Sequence, residues 1–177
     1  TLLAFAGSNS STSINHELVT YLTTQLKEST FELFKLSDMD LIVYSEDEQR
    51  DNGFPSSINQ VYKHIQASTG IIISVNEHNS NPSAFFKNVL DWLSRLDRKF
   101  LGGKKILLLS TSNGARGGMS SLEVVKQLLP RFGAEIVDTF SFPSFKENFS
   151  IEETKIINDK IKNEILEKLH QFEVSLK

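Results

Sequence analysis

LLAFAGSNSSTSINHEL, residues 2 to 18, joins an apolar run to a helical pattern through a loop of small polar residues. The run at 2–7 is short and almost entirely apolar, which is typical of a strand covered on both faces of a parallel sheet. From Ile14 onward, Leu18, Leu22 and Leu26 recur at intervals of four and predict a helix over 14–28. The stretch therefore predicts the first strand, loop and helix of an α/β fold.

The same alternation continues to the end of the chain. Further strands are predicted at 31–36, 70–75, 105–111 and 135–142. Further helices are predicted at 56–68, 82–99, 119–133 and 150–176, the last beginning with Ser150 and Glu153 as a capping box. The stretch 45–57 is the most loop-like and is interpreted as a connection. We therefore expect one three-layer α/β domain over residues 1–177, with right-handed crossovers onto a parallel sheet.

The composition argues against several kinds of partner and site. Without cysteine, the chain of 177 residues has neither disulfides nor thiolate chemistry, and its scattered histidines offer no metal site. A net charge of -3 and a pI near 5.8 argue against a nucleic-acid partner. No apolar run approaches the roughly 20 residues of a spanning helix, and no basic leader precedes the first strand. We expect a cytoplasmic protein with no membrane partner.

Three loops are candidates for a ligand site. Ligands of open α/β sheets bind outside the carboxyl ends of the strands, near the point where the strand order reverses. The segments after the first, third and fourth predicted strands are GSNSSTSIN (7–15), NEHNSNPSAFFKN (76–88) and TSNGARGG (111–118). All three are rich in small polar residues or glycine, so the sequence places the site where they meet.

The first loop has the chemistry of an anion site. Its hydroxyl groups precede a predicted helix and belong to Ser8, Ser10, Ser11, Thr12 and Ser13. Together with free N–H groups and the helix dipole, they suit a phosphate monoester. A serine-rich helix cap without a ligand explains the same residues. The loop has neither the Lys of a nucleotide-binding P-loop nor three glycines, which disfavours ATP, GTP and Rossmann-type NAD binding.

The three loops resemble those of the NADPH-dependent FMN reductase family. The first resembles G-S-x-R-x-x-S-x-N, with matches at Gly7, Ser8, Ser13 and Asn15 and with Ser10 at the family Arg. The second resembles P-E-Y-N-x-S-x-P-G-x-L-K-N-A-I-D-W, with matches at Glu77, Asn79, Pro82, Lys87, Asn88, Asp91 and Trp92. Asn76 and His78 stand at its family Pro and Tyr. In the third loop, Gly114, Gly117 and Gly118 match a glycine-rich segment.

The resemblance implies a flavodoxin-like α/β/α fold with a five-stranded parallel sheet in the order 2-1-3-4-5. It also implies an oxidoreductase with noncovalent FMN, which NADPH or NADH reduces and which then reduces a flavin, quinone or azo-type acceptor. No protein group is expected to be catalytic, since N5 of the flavin carries the chemistry. Family members are dimers or tetramers, so we expect a homodimer or homotetramer.

The implied FMN contacts fall on all three loops. They are Ser8, Ser10, Ser13, Ile14 and Asn15 at the phosphate, Asn76, Glu77, His78 and Asn79 beside the ring, and Ser112, Asn113, Gly114, Gly117 and Gly118 at the pyrimidine end. Arg116 is a candidate to replace the missing family Arg. Glu77 is interpreted as a group that organises the backbone, and His78 as a hydrogen-bonding residue or a proton donor.

Two further hypotheses concern function and assembly. The segment FFKNVLDWLSRL, residues 85–96, carries more apolar area than one buried helix face requires, which predicts homodimerisation through it. A flavodoxin-like electron carrier is an alternative function, as is a flavodoxin-like scaffold with weakened or lost FMN binding.

Overall fold

A five-stranded parallel sheet organises the structure, a computed structural model that describes residues 1–177. Its strands are Leu2–Ala6 (β1), Phe31–Phe34 (β2), Gly70–Val75 (β3), Lys105–Thr111 (β4) and Glu135–Phe142 (β5). They lie in the order β2-β1-β3-β4-β5, so the expected fold is confirmed. The α-helices are Ile14–Thr24 (α1), Glu46–Asn52 (α2), Ser56–Ala67 (α3), Ala84–Leu96 (α4), Met119–Leu128 (α5), Phe145–Asn148 (α6) and Asp159–Ser175 (α7). Short 3-10 helices span Leu36–Asp38 and Leu129–Phe132. None of the helices has the length and apolarity needed to cross a membrane.

Apolar side chains cover both faces of the sheet. One face packs against α3, α4 and α5 through strand residues such as Leu3, Ile71 and Leu108. The opposite face packs against α1 and α7 through the intervening positions, such as Ala4 and Ile72. Neighbouring residues of a strand point to opposite faces, and both faces are covered, so β1 is apolar throughout and β3 and β4 are apolar at most positions.

Residues 45–57 contain a helix that the sequence did not predict. α2 begins after Ser45, whose side-chain oxygen accepts a hydrogen bond from the N–H of Glu48 at 3.0 Å. Three acidic residues in its first turn interact favourably with the helix dipole. None of its residues is buried, so the sequence has no apolar periodicity there, and the prediction of a loop was wrong.

The last helix begins later than predicted. Ser150 does accept a hydrogen bond from the N–H of Glu153, at 3.2 Å. This bond closes a turn between two short antiparallel strands, Phe149–Ser150 (β6) and Lys155–Ile156 (β7). The Phe and Ile of the pair are buried in the core, which favours the hairpin over a helix. α7 starts after Asn158, whose side chain accepts from the N–H of Ile161.

Most of the apolar side chains of α4 are buried within their own chain. Phe86 and Trp92 are 1% and 0% exposed. The indole N–H of Trp92 and the side-chain amide of Asn88 both donate to the carbonyl of Ile42, at 3.0 and 2.9 Å. α4 therefore anchors the segment after β2. Burial within the chain thus accounts for most of the apolar content of 85–96, and homodimerisation through this segment stays a prediction.

Glu173 connects α7 to the turn after α1. None of the residues in this contact belongs to the three loops. Its carboxylate is 3% exposed and accepts hydrogen bonds from the N–H groups of Lys27, Glu28 and Ser29, at 3.2, 3.1 and 3.0 Å. Hydrogen bonds to a charged acceptor are stronger than neutral ones, and their removal leaves three donors unpaired.

We expect Glu173→Ala to lower the free energy of unfolding by about 2 kcal/mol in urea denaturation. Glu167→Ala is the matched control because it removes an exposed carboxylate from the same helix, and it should change stability by less than about 0.5 kcal/mol. Equal losses in the two variants would show that the contact with the turn is not stabilising.

Candidate functional site

A polar cavity of about 300 Å³ lies at the carboxyl end of the sheet, between the segments that follow β1, β3 and β4. It is lined by Ser8, Ser10, Thr12, Ser13, Ile14, Asn15, Asn76, Glu77, Thr111, Ser112 and Asn113. The structure thus brings together residues from all three loops that the sequence singled out. Thr111 is an addition to the predicted contacts, and its place at the carboxyl end of the fourth strand was the signal for it.

Asn15 ties the first loop to the two neighbouring strands. It is 2% exposed. Its Oδ1 accepts from the hydroxyl of Ser74 at 2.7 Å and from the N–H of Thr111 at 3.1 Å. Its Nδ2 donates to the carbonyl of Thr111 at 3.2 Å. The side chain that we predicted as a phosphate contact is therefore directed to β3 and β4, and it fixes the position of the loop.

The start of α1 presents main-chain N–H groups that have no acceptor within the chain. Ser13 caps the helix by accepting from the N–H of His16 at 3.3 Å. The groups without an acceptor are the N–H groups of Ser11, Ser13, Ile14 and Asn15. They lie at the positive end of the helix dipole beside the serine hydroxyls, which is the arrangement that binds a phosphate monoester.

The cavity contains no cationic side chain. Glu77 is the only charged residue in its lining. Burial lowers the pKa of His16 in the first turn of α1, and nearby Lys35 lowers it further, so the imidazole is neutral at pH 7. Arg116, the candidate replacement for the family Arg, is exposed and does not line the cavity. An anion here would be held by neutral donors and by the helix dipole.

The second loop is fastened to α5. Oε2 of Glu77 accepts from the N–H of Ser121 at 3.0 Å, and the hydroxyl of Ser121 donates to the carbonyl of Asn76 at 2.8 Å. α5 follows Gly118, which has no side chain to cap the helix, so Glu77 supplies the cap from another segment. This supports the interpretation of Glu77 as a backbone-organising residue. Ser121 was not singled out, because only the folded chain brings it to the loop.

The next residues of the second loop form a hairpin that lines an adjoining groove of about 510 Å³. The N–H of His78 donates to the carbonyl of Asn81 at 2.8 Å, and the reverse bond measures 3.1 Å. Asn79 and Ser80 between them have φ of 51° and 63°, as a two-residue hairpin of type I′ requires. The groove is lined by His78, Asn79, Asn81, Pro82, Ala84, Lys87, Val124 and Leu128.

The glycines of the third loop serve contacts within the chain. Gly117 has φ of 58°, and a Cβ on it would lie 2.4 Å from the carbonyl oxygen of Phe142. Its own carbonyl accepts from the hydroxyl of Ser110 at 2.7 Å. Neither Gly114, Gly117 nor Gly118 lines the cavity. We predicted that these glycines let the backbone approach a flat ring. At Gly117, the backbone that lies close to the glycine is that of Phe142, at the end of β5.

Residues 1–147 match the family described as NADPH-dependent FMN reductase. The chain belongs to this family. It is 31% identical over 103 residues to the quinone reductase of Escherichia coli (strain K12), a match that covers 58% of this chain and 55% of that enzyme. The chain thus spans about half the length of this curated relative.

Solved structures have the same fold. The flavoenzyme NAD(P)H:(acceptor) oxidoreductase FerB from Paracoccus denitrificans has a TM-score of 0.80 at 22% identity, over 97% of this chain and 93% of FerB. An FMN-dependent NADH-azoreductase from Bacillus anthracis, solved in complex with FMN, has a TM-score of 0.62 at 13% identity, over 96% and 97% of the two chains. Because the sequence identities are low, this structural similarity establishes only the fold of this FMN reductase family member.

The donors around the cavity fit the phosphate of FMN. A phosphate monoester offers three acceptor oxygens, and the N–H groups at Ser11, Ser13, Ile14 and Asn15 supply donors at the end of α1. The hydroxyls of Ser8 and Ser10 lie in the same lining. The set lacks the charge-assisted bond that the Arg of the family loop provides.

Restoring that Arg is expected to tighten FMN binding. Ser10→Arg places a guanidinium at the exposed mouth of the cavity, and a hydrogen bond to a charged group contributes about 1.5 kcal/mol or more, or roughly tenfold in dissociation constant. Quenching of FMN fluorescence measures the change. Ser11→Arg adds the same charge to a neighbouring residue outside the lining, so an equal gain there would attribute the effect to net charge alone.

Proposed function

We propose that the protein is an NAD(P)H-dependent oxidoreductase that holds FMN noncovalently and reduces a small-molecule acceptor of the flavin, quinone or azo type. The observation that carries the proposal is the set of free N–H groups at the start of α1, which open into a polar cavity at the carboxyl end of the sheet. The family match and the relative named quinone reductase support it.

The residues of this chain would bind and orient the cofactor. When bound, FMN supplies the hydride-transfer chemistry. The N–H groups of α1 hold the phosphate, while Asn15 keeps their loop against β3 and β4. Glu77 holds the second loop to α5. This contact fixes the position of the segment 76–78, which separates the cavity from the groove. The groove beside it offers the apolar side chains of Val124 and Leu128 to a flat acceptor.

Flavin uptake and reduction test the proposal. Purified protein is mixed with FMN, freed of unbound flavin, and given NADPH or NADH without oxygen, while the flavin absorbance near its visible maximum is followed. Uptake followed by bleaching is the expected result. Uptake without bleaching would favour the electron carrier, and no uptake would favour a scaffold that has lost FMN binding. Comparing the two nucleotides gives the preferred reductant.

Assembly and location stay predictions. A homodimer or homotetramer is expected from the family resemblance. Light scattering at micromolar concentration tests it, and a monomer would contradict it. The expected cytoplasmic location is tested by cell fractionation.

A further inference from the structure

Two residues at which the second loop departs from the family pattern, Asn76 and His78, contact each other. Nδ2 of Asn76 lies 3.3 Å from Nε2 of His78. Both backbones are held, since the carbonyl of Asn76 accepts from Ser121 and His78 belongs to a hairpin closed by two hydrogen bonds. The family Pro and Tyr could not form this side-chain hydrogen bond, because Pro has no polar side-chain atom. The two departures are therefore one structural unit.

This pair spans the boundary between the two recesses. Asn76 lines the polar cavity, and His78 lines the groove. The other charged residue of the groove is Lys87, which is paired with Asp91 at 2.6 Å. The carboxylate of the adjacent Glu77 is directed at α5, which itself adds only Val124 and Leu128 to the groove. His78 is thus the one imidazole in the lining of the groove.

The carboxamide of Asn76 can serve either protonation state of His78. Its Oδ1 is buried and has no hydrogen-bond partner. Rotating the carboxamide by half a turn therefore breaks no bond except the one to the imidazole. In one orientation Nδ2 donates to the neutral ring, and in the other Oδ1 accepts from Nε2–H of the imidazolium. In both orientations Nδ1 is left for a molecule in the groove.

We propose that His78 is a catalytic residue that donates a proton to a quinone-type acceptor bound in the groove, and that Asn76 is its positioning residue. The inference rests on the proposed function. Reduction of a quinone to a hydroquinone takes two electrons and two protons. Hydride transfer, with the electrons of NAD(P)H, supplies both electrons and one proton. The second proton passes from Nδ1 of the imidazolium to a quinone oxygen, where an O–H bond forms as the N–H bond breaks, and solvent returns the proton to His78.

The test separates acceptors that need a proton from one that does not. Protein loaded with FMN is reduced anaerobically with NADPH and then mixed in a stopped-flow instrument with benzoquinone or with ferricyanide, which takes up electrons alone. We expect His78→Gln to slow quinone reduction about 100-fold, a typical loss for a general acid, and to leave ferricyanide reduction within about twofold. His64→Gln is the matched control, because His64 pairs with Glu32 outside both recesses and should leave both rates unchanged.

The pH profile tests the role of Asn76. The wild-type rate with benzoquinone should fall as pH rises, because only a protonated imidazole can donate the proton. In His78→Gln this fall should disappear. Asn76→Asp places a carboxylate beside the imidazole, which favours the charged ring, so the fall should move to higher pH. A purely structural effect of the substitution would leave the midpoint of the profile in place.

Two results would overturn the inference while leaving the proposed function intact. One is unchanged quinone reduction in His78→Gln, and the other is an equal loss with both acceptors, which would place His78 in flavin binding. Fluorescence titration of oxidised FMN against His78→Gln, a measurement independent of turnover, gives the FMN concentration that saturates the variant, and both rates are compared with wild type at saturation. A wild-type protein that takes up no FMN would remove the proposed function and this inference together.

Discussion

Asn15→Ala is expected to remove most of the affinity for FMN and to lower the free energy of unfolding by about 4 kcal/mol. The substitution deletes a buried carboxamide that makes three hydrogen bonds. Its partners on Ser74 and Thr111 belong to residues that are 0% and 1% exposed, so the substitution leaves buried polar groups without their partner. Each buried polar group left without a partner costs about 1 to 3 kcal/mol.

The loss of affinity follows from the position of Asn15. It is the second residue of α1, and the N–H groups that would hold the phosphate are its own and those of the preceding loop. With the loop detached from β3 and β4, these donors no longer have a fixed arrangement, and binding must order them. We expect the dissociation constant for FMN to rise about 100-fold, which corresponds to roughly 3 kcal/mol.

Fluorescence titration with FMN and urea denaturation of the apoprotein measure the two effects separately. Asn88→Ala is the matched control. Asn88 is also a buried asparagine, 8% exposed, and its side chain bonds the backbone of Ile42 and Tyr44 outside the cavity. It should lose stability by about 2 kcal/mol and keep its FMN affinity within about threefold. An equal loss of affinity in both variants would mean that global destabilisation, and not the anchoring of the loop, weakens binding.

The location of the polar cavity was predictable because it depends on local patterns. Polar and glycine-rich segments follow apolar strands, and the carboxyl ends of parallel strands meet at one edge of the sheet. The roles within the site were less predictable. Asn15 contacts residues 59 and 96 positions away, and Glu77 caps a helix that starts more than forty residues later. Such contacts leave no mark on hydrophobic periodicity, which reports only which faces are buried.

Two of the errors in secondary structure have related causes. α2 has no buried residue and is stabilised by its cap and by acidic residues in its first turn, so its sequence shows no apolar periodicity. The capping-box pattern at Ser150 formed its hydrogen bond in a hairpin turn, because the same side-chain bond closes turns as well as helix ends. Tertiary burial of the neighbouring Phe149 decided between the two structures.

Gly117→Ala is the second substitution from which we expect a large effect, a loss of about 4 kcal/mol of unfolding free energy. Two costs add. An alanine at φ of 58° occupies the left-handed region, which disfavours any residue with a side chain. Its Cβ would also lie 2.4 Å from the carbonyl oxygen of Phe142 and 2.8 Å from the hydroxyl of Ser141. The first neighbour is backbone of β5 and cannot rotate away, so the strand or the loop must shift.

Gly103→Ala separates the two costs. Gly103 has φ of 71°, but no atom lies within 4 Å of the position that a Cβ would take. This variant should therefore lose only the conformational part, about 1 kcal/mol, in urea denaturation. The difference of roughly 3 kcal/mol between the two variants then measures the contact between the third loop and β5. If both variants lost the same stability, backbone conformation alone would explain the glycine at 117, and the close approach to Phe142 would contribute nothing.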